Sequence, residues 1–250
     1  MWQFADDITE SVSSASSETI KEELTKAYHS TKRFCSSKQL DINLSKTQFI
    51  IFKSPSKKLP EDFSLELDSQ TFPALLQVKL LGVTLDRHLT LKDHISSTVN
   101  TCNGLLGVLR RIAYSLPRKL STLFYVAIIR SQLEFASGLL APVATTHLDR
   151  LEIIQRKAAR IICQTSSDSH ADPLLESLGL QSLRERRTKH LVKLVSEILS
   201  GNCHPSLVDF FIMDDADGGE LQLPACNTLM GRKRFGFFGA DVFNNFLSHI

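Results

Sequence analysis

The sequence predicts an α+β protein in which a small antiparallel sheet with one helix precedes a longer all-helical segment. Short apolar and β-branched runs typical of strands occur before residue 90, whereas the apolar residues that follow recur at helical spacing. The 250 residues are 42% hydrophobic and 22% charged, which is the composition of a globular protein with a sizeable core. We expect a sheet-containing part at residues 1–89, a helical part at 90–201 and a partly irregular C-terminal extension at 202–250.

The chain opens on a predicted β-hairpin with two aspartates at its tip. Trp2 and Phe4 alternate with a polar residue, and the apolar pattern resumes after Asp6 and Asp7, which places both carboxylates at the turn. Adjacent carboxylates repel each other, and a divalent cation such as Mg²⁺ would relieve that repulsion through oxygen ligands. A solvated turn is the alternative, because aspartate is common in turns. Spacing alone leaves both interpretations open.

One helix and one strand are predicted next. Thr19 and Glu22 have the spacing of a capping box, and apolar residues at helical spacing continue to about Lys38. The apolar and β-branched run Thr47–Phe52 predicts the strand on which this helix packs. Lys46 directly precedes that strand, and on this ground alone it is interpreted as a surface lysine.

Two further strand regions precede the helical part. Ser64–Leu67 and Leu75–Leu85 predict strands on either side of a turn at Phe72-Pro73. Gly82 interrupts the second region. A glycine in a strand permits either a β-bulge or the close approach of a ligand to the backbone, and both possibilities stay open.

Helical periodicity dominates the chain from there to the extension. Ser115 predicts the cap of a second helix, and a third helix is predicted from Thr146 to Cys163. Ser182 with Glu185 has the spacing of a capping box and predicts the start of the last helix.

Positive charge is concentrated in the helical part. Residues 91–200 carry 15 Lys and Arg against 9 Asp and Glu, while residues 1–90 carry 11 against 12 and residues 201–250 carry 3 against 6. A basic excess on helices is typical of proteins that bind a phosphate backbone, since each neutralised phosphate releases counterions. A solvated helical face would give the same composition.

Several other classes of protein are not indicated. The five cysteines are widely spaced without a C-x-x-C, which argues against a disulfide framework or a zinc knuckle and favours a reducing, intracellular environment, nuclear or cytoplasmic. The longest apolar run, Leu123–Ile129, is too short to cross a bilayer, so we expect a soluble protein without a membrane partner. Asp214, Asp215 and Asp217 predict an exposed acidic loop rather than a cation site.

Several short motifs occur in an order that is similar to one known family. They begin with an aromatic-Ala-Asp-Asp tetrapeptide and include Ile-Asn-Leu-Ser-Lys-Thr and Leu-Leu-Gly-Val-Thr-Leu-Asp. The motifs lie at residues 4–7, 40–47, 80–86, 130–136, 151–158 and 183–187. Over residues 1–200 the series closely resembles the second half of a reverse transcriptase of the non-LTR (LINE-type, jockey-like) retrotransposons. The specificity lies in the order of the motifs rather than in any one of them.

The resemblance implies a partial polymerase palm at residues 1–89 and a thumb at residues 90–201. In that family the hairpin carries the metal-binding aspartates, so Asp6 would be the principal Mg²⁺ ligand and Asp7 the secondary one. Lys46 would lie near the incoming triphosphate, where an ammonium group offsets the charge that develops on pyrophosphate. No cofactor beyond nucleotide and metal is implied.

The resemblance also implies two contacts with nucleic acid. The hairpin around Leu81, Gly82 and Val83 would be the primer grip, whose backbone lies against the end of the growing strand. A thumb holds the RNA template and DNA primer, or an RNA–DNA hybrid, by the backbone, which requires basic side chains and no base-edge chemistry. The candidates for these backbone contacts are Arg110, Arg111, Arg150, Arg156, Lys157 and Arg160.

The sequence departs from the family pattern at both ends. Phosphoryl transfer through two metals needs carboxylates that clamp the attacking and leaving oxygens. The family supplies one of these carboxylates from an earlier strand, which itself follows a fingers region. Neither the strand nor the fingers region precedes Met1 here, so we expect this chain alone to be inactive as a polymerase. Val242–Leu247 lacks the tryptophan and proline of the family's closing motif. The alternatives are a non-catalytic nucleic-acid-binding or interaction module derived from such an element, and a truncated product without a selected function.

Overall fold

The structure, a computed structural model, describes residues 1–57, 63–213, 219–228 and 231–248. These residues form a mixture of helices and small antiparallel sheets, so the α+β prediction is confirmed at this coarse level. Among them no helix is both long enough and apolar enough to cross a membrane. The predicted acidic loop at Asp214, Asp215 and Asp217 lies outside the described residues.

The chain divides into two compact units. Met1–Leu80 and Leu85–Leu89 form the first, here called the N-terminal unit. Leu81–Thr84 and Thr90–Ile250 form the second, here called the helical unit. The C-terminal extension therefore belongs to the helical unit.

The strands of the described residues pair as three separate two-stranded sheets rather than one. The pairs are β1 (Trp2–Phe4) with β2 (Asp7–Thr9), β3 (Ser64–Leu67) with β4 (Gln70–Pro73), and β5 (Gln77–Leu80) with β6 (Val83–Asp86). The predicted turn at Phe72-Pro73 is wrong, because both residues pair within β4 and the turn is made by Asp68 and Ser69. Both turn residues have positive φ, 47° and 66°, which short polar side chains tolerate better than bulky ones.

The helix of the N-terminal unit, α1, spans Ser17–Ser37. Its cap is Ser16, whose hydroxyl accepts a hydrogen bond from the N–H of Thr19 at 3.5 Å. The predicted capping box of Thr19 with Glu22 is wrong, because the hydroxyl of Ser16 lies one turn earlier and starts the helix there. The helix packs on β3, with Tyr28 in a small core beside Leu65 and Leu67.

The strand predicted at Thr47–Phe52 does not form. Leu44–Lys46 is a 3₁₀ turn, and after it Ile50 makes one isolated parallel bridge to Leu75. The carbonyl of Phe49 accepts the N–H of Leu75 at 2.8 Å beside this bridge, and the Phe49 side chain packs against the small core of this unit. An apolar run of six residues is too short for periodicity to separate a strand from an extended buried segment.

The helical unit contains seven further α-helices and one π-helical turn ahead of the extension, as far as the structure describes it. The α-helices are α2 (Lys92–Ala113), α3 (Arg118–Phe124), α4 (Ser131–Leu133), α5 (Ser137–Leu140), α6 (Thr145–Cys163), α7 (Ala171–Ser177) and α8 (Leu183–Leu199). The predicted cap Ser115 is wrong, because α3 begins only after Pro117. The predicted cap Ser182 of α8 is confirmed, since its hydroxyl accepts the N–H of Glu185 at 3.2 Å.

A π-helical turn at Tyr125–Arg130 joins α3 to α4 in one continuous run. The buried residues of this run recur at every fourth position, and they are Ser121, Tyr125, Ile129 and Leu133. A spacing of four drifts around an α-helix of 3.6 residues per turn, and the wider π turn keeps these residues on one face.

The C-terminal extension packs on α8 through the last helix, α9 (Phe235–Leu247). Phe238 enters the same buried cluster as Val195. The Asn244 side chain holds a neighbouring segment, accepting the N–H of Leu221 at 2.9 Å and donating to its carbonyl at 2.8 Å. The described part of the extension is thus built into the core of the helical unit.

Candidate nucleic-acid interface

The predicted hairpin at the start of the chain forms. Phe4 pairs with Asp7 across a two-residue turn of Ala5 and Asp6, in which Ala5 has a φ of 52°. Asp6 and Asp7 are both exposed. Among the described residues no three His, Cys, Asp or Glu side chains come together as a metal-binding group. Asp6 and Asp7 are therefore a pair of exposed carboxylates, and a Mg²⁺ held by them would take its other ligands from water or substrate phosphates.

Lys46 ends the 3₁₀ turn that Asn43 caps through the N–H of Ser45 at 3.1 Å. Its side chain is exposed. Within the described part of the chain no hydrogen bond or ion pair joins Lys46 to Asp6 or Asp7. The placement of Lys46 near a triphosphate beside the two aspartates stays a prediction.

The predicted primer-grip hairpin is a tight turn at Leu81 and Gly82, between β5 and β6. Their φ values of 46° and 86° are those of a type I′ turn, which a two-residue hairpin favours and which demands a residue such as glycine. A Cβ atom at Gly82 would lie 3.2 Å from the ring of Phe135. Val83 is buried. Turn geometry and packing on Phe135 are thus sufficient reasons for this glycine, and it is not a β-bulge.

Three of the six predicted backbone-binding residues converge in the helical unit. Arg110, Lys157 and Arg160 line an open groove between α2 and α6 with a cavity volume of about 530 Å³, here called the α2–α6 groove. No carboxylate lines this groove among the described residues. Three cations without a lining anion make it an attractive site for a negatively charged group.

Helical spacing explains why these side chains share one groove. On α2, Gly107, Arg110 and Tyr114 follow at intervals of three and four residues, which places them on one face. Lys157 and Gln164, with Arg160 between them, repeat the same intervals along α6 and its cap. The two helices pack on each other, so the two faces together form the groove.

The ends of the two helices are tied together beside the groove. The amide of Gln164 donates to the carbonyl of Ala113, the last residue of α2, at 3.1 Å. Nε of Arg160 donates to the carbonyl of Ser169 at 2.8 Å, which fixes the guanidinium group. Arg110 and Lys157 are exposed and make no ion pair with any described residue. Cations in the last turn of a helix also stabilise the helix through its dipole. A test of binding therefore needs a control variant that removes a neighbouring cation from the same helix.

The other three candidates lie outside the groove. Arg111 is exposed and follows Arg110 in the last turn of α2. Arg150 donates to the hydroxyl of Ser96 at 2.9 Å. Arg156 lies 3.9 Å from the carboxylate of Asp172, and both side chains are at least half exposed. The structure therefore separates the six predicted contacts into three that converge and three that do not.

Sequence reasoning missed Tyr114 and Gly107 as parts of the groove. Tyr114 is 75% exposed and lies one helical turn after Arg110. Gly107 lies one turn before Arg110, and a Cβ atom placed there would meet no atom within 4 Å. The available signal was the spacing of both residues from Arg110, together with an aromatic side chain beside a basic pair.

Comparisons with known proteins give no relative for this chain. No protein-family model matches the sequence, no curated protein matches it, and no solved structure matches the fold.

Proposed function

We propose that this chain is a C-terminal part of a non-LTR retrotransposon reverse transcriptase, an RNA-directed DNA polymerase, and that its helical unit binds the phosphate backbone of the RNA–DNA template–primer duplex. The convergence of Arg110, Lys157 and Arg160 in the α2–α6 groove is the observation that carries the binding. The order of the motifs along residues 1–200 supports the polymerase assignment.

The groove suits backbone binding rather than base reading. The planar guanidinium groups of Arg110 and Arg160 match two phosphate oxygens at once, and the Lys157 ammonium acts as a point charge. Phosphate contacts carry no sequence information but set affinity through the release of counterions. Binding should therefore be insensitive to sequence and weaken with added salt.

The groove is tested by comparing two double variants that remove equal charge from neighbouring positions. Arg110→Gln with Lys157→Gln changes the groove, whereas Arg111→Gln with Arg156→Gln changes the next residue on each of the same helices. We expect the groove variant to bind an RNA–DNA hybrid about tenfold more weakly than the control, since exposed ion pairs contribute about 0.2–1 kcal/mol each. Fluorescence anisotropy measures both affinities. Equal affinities would contradict binding by the groove.

We also propose that the isolated chain does not polymerise DNA. Asp6 and Asp7 have no third carboxylate beside them among the described residues, and clamping both reacting oxygens needs a fuller ligand set. Primer extension by the purified chain with Mg²⁺ should stay at the level of an Asp6→Ala variant. Robust extension that Asp6→Ala abolishes would contradict this part.

The second candidate is a non-catalytic nucleic-acid-binding module derived from such an element. The same incomplete ligand set at Asp6 and Asp7 favours it. It predicts that hybrid binding survives Asp6→Ala and Asp7→Ala. An open reading frame upstream of Met1 that encodes fingers and a further palm aspartate would favour the polymerase instead.

A further inference from the structure

Tyr114 gives the α2–α6 groove a property that binding of a phosphate backbone does not use. The residue caps the end of α2, lines the groove and is 75% exposed. Its hydroxyl makes no hydrogen bond to any described residue. An aromatic ring is therefore exposed to solvent beside three cations, in a groove that no carboxylate of the described residues lines.

A paired base cannot use such a ring, because its faces are stacked inside the duplex, whereas an unpaired base exposes a face that stacks on aromatic side chains. We propose that the α2–α6 groove binds an unpaired nucleotide of a single strand, with its phosphate at Arg110 and Lys157 and its base on Tyr114. This inference rests on the proposed function, and it adds an unpaired strand to the duplex backbone as a partner of the same groove.

The spacing of the groove residues supports a nucleotide-sized ligand. Arg110 and Tyr114 are four residues apart on α2, so their Cβ atoms lie about 5–6 Å from each other, which allows one nucleotide to reach both side chains. Gly107 leaves its side of the groove open, since a Cβ atom there would meet nothing within 4 Å. Gln164 and Thr165, whose side chains carry hydrogen-bonding groups, also line the groove.

The stacking contact is tested with Tyr114→Ala and Tyr114→Phe. The probes are a single-stranded oligonucleotide and a blunt RNA–DNA hybrid of the same length. We expect Tyr114→Ala to weaken single-strand binding about 5- to 150-fold, as loss of a stacking aromatic does, and Tyr114→Phe to preserve it. Hybrid binding should stay unchanged. Single-strand binding equal to wild type in Tyr114→Ala, or an equal loss for both probes, would overturn the inference.

The open side of the groove is tested with two leucine variants of one helix. Gly107 lines the groove, whereas Gly104 lies outside it, and a Cβ atom at either position meets nothing within 4 Å. Leucine is a better helix former than glycine, so both variants should fold. Gly107→Leu should weaken single-strand binding and Gly104→Leu should not. Equal affinities in the two variants would overturn the inference.

The two sets of variants separate failure of this inference from failure of the proposed function. If Arg110→Gln with Lys157→Gln weakens hybrid binding and Tyr114→Ala leaves single-strand binding intact, only the inference fails. If that double variant binds both probes as tightly as its control does, the proposal that the groove binds a phosphate backbone fails. The part of the inference that places a phosphate at Arg110 and Lys157 then fails with it.

Discussion

At the scale of single residues, Glu152 connects α6 to the start of α8. Its carboxylate accepts the backbone N–H groups of Leu183 at 3.3 Å and Arg184 at 2.8 Å. It also accepts a hydrogen bond from Arg187 at 3.3 Å, whose side chain is only 6% exposed. Burial lowers the pKa of the Arg187 guanidinium, and Glu152 opposes that shift. One carboxylate thus satisfies a helix terminus and pairs a buried charge.

Replacement of Glu152 should destabilise the protein strongly. Glu152→Ala leaves the buried Arg187 charge unpaired, which costs about 3–5 kcal/mol of unfolding free energy. Urea denaturation measures the change. Glu176→Ala is the control, because Glu176 is exposed on α7 and its loss should cost less than about 0.5 kcal/mol. A Glu152→Ala protein as stable as this control would show that the pair is not needed.

A second residue-scale prediction concerns Tyr28 of the N-terminal unit. Its hydroxyl donates to Asp68 at 2.5 Å, and Lys32 approaches the same oxygen at 2.5 Å. Burial, and after it the hydrogen bond to Asp68, raises the pKa of Tyr28 to about 12. Because folding raises this pKa, the stabilising contribution of Tyr28 to the free energy of unfolding is complete below its unfolded pKa of about 10. That contribution is lost as the pH rises towards 12.

Tyrosinate absorbance against pH tests this prediction. The wild type should show a tyrosine that titrates near 12, and Tyr28→Phe should lack it. The alkaline loss of stability above pH 10 should also be smaller in Tyr28→Phe. If the tyrosine missing from Tyr28→Phe is one that titrates near the usual pKa of about 10, the prediction is wrong.

Residues whose roles depend on local sequence were predicted better than those whose roles depend on distant partners. The turn with Asp6 follows from neighbouring residues and forms, whereas the strand predicted at Leu75–Leu85 is divided by a turn at Leu81 and Gly82. The hydrogen bond between Tyr28 and Asp68 joins residues 40 positions apart, and the sequence around either residue does not predict it. Gln155 is fully buried and accepts the hydroxyl of Tyr125 at 2.6 Å, although its polarity predicts exposure.

At the scale of elements, the glycines of the helices should respond to alanine in opposite directions. Gly107 lies inside α2 with open space around its missing Cβ, so Gly107→Ala should raise the unfolding free energy by about 0.5–1 kcal/mol. Gly236 lies in α9, where a Cβ atom would be 2.6 Å from the carbonyl oxygen of Phe210, so Gly236→Ala should lower it by about 1–3 kcal/mol. Thermal denaturation distinguishes the two. Changes of the same sign would contradict the packing at one of these sites.

Whether the start of a helix could be predicted depended on how many nearby polar residues were able to cap it. Ser182 was predicted to cap α8 and does so, because no competing hydroxyl lies in the preceding turn. Thr19 was predicted and Ser16 caps α1 instead, since the serine-rich segment before it offers several equivalent candidates. The π turn at Tyr125–Arg130 was not predicted, because Leu123–Ile129 is an unbroken apolar run in which residue spacing does not indicate the buried face.

At the scale of the whole molecule, composition predicted where positive charge lies but not where it converges. Residues 91–200 contain 15 basic and 9 acidic residues, and this excess of positive charge is visible in the sequence. The groove arises from the packing of α2 on α6, which joins residues about 50 positions apart, such as Ala113 and Gln164. Of the six basic residues singled out in the sequence, the packing places Arg110, Lys157 and Arg160 along one groove.

The salt dependence of hybrid binding tests the groove most directly. For a backbone contact, the logarithm of the association constant falls linearly with the logarithm of the salt concentration, with a slope of about 0.9 per neutralised phosphate. The wild type and the control variant Arg111→Gln with Arg156→Gln should share one slope. The groove variant Arg110→Gln with Lys157→Gln should have a slope smaller by about 2, one unit for each lost contact. Equal slopes in all three proteins would contradict backbone binding at the α2–α6 groove.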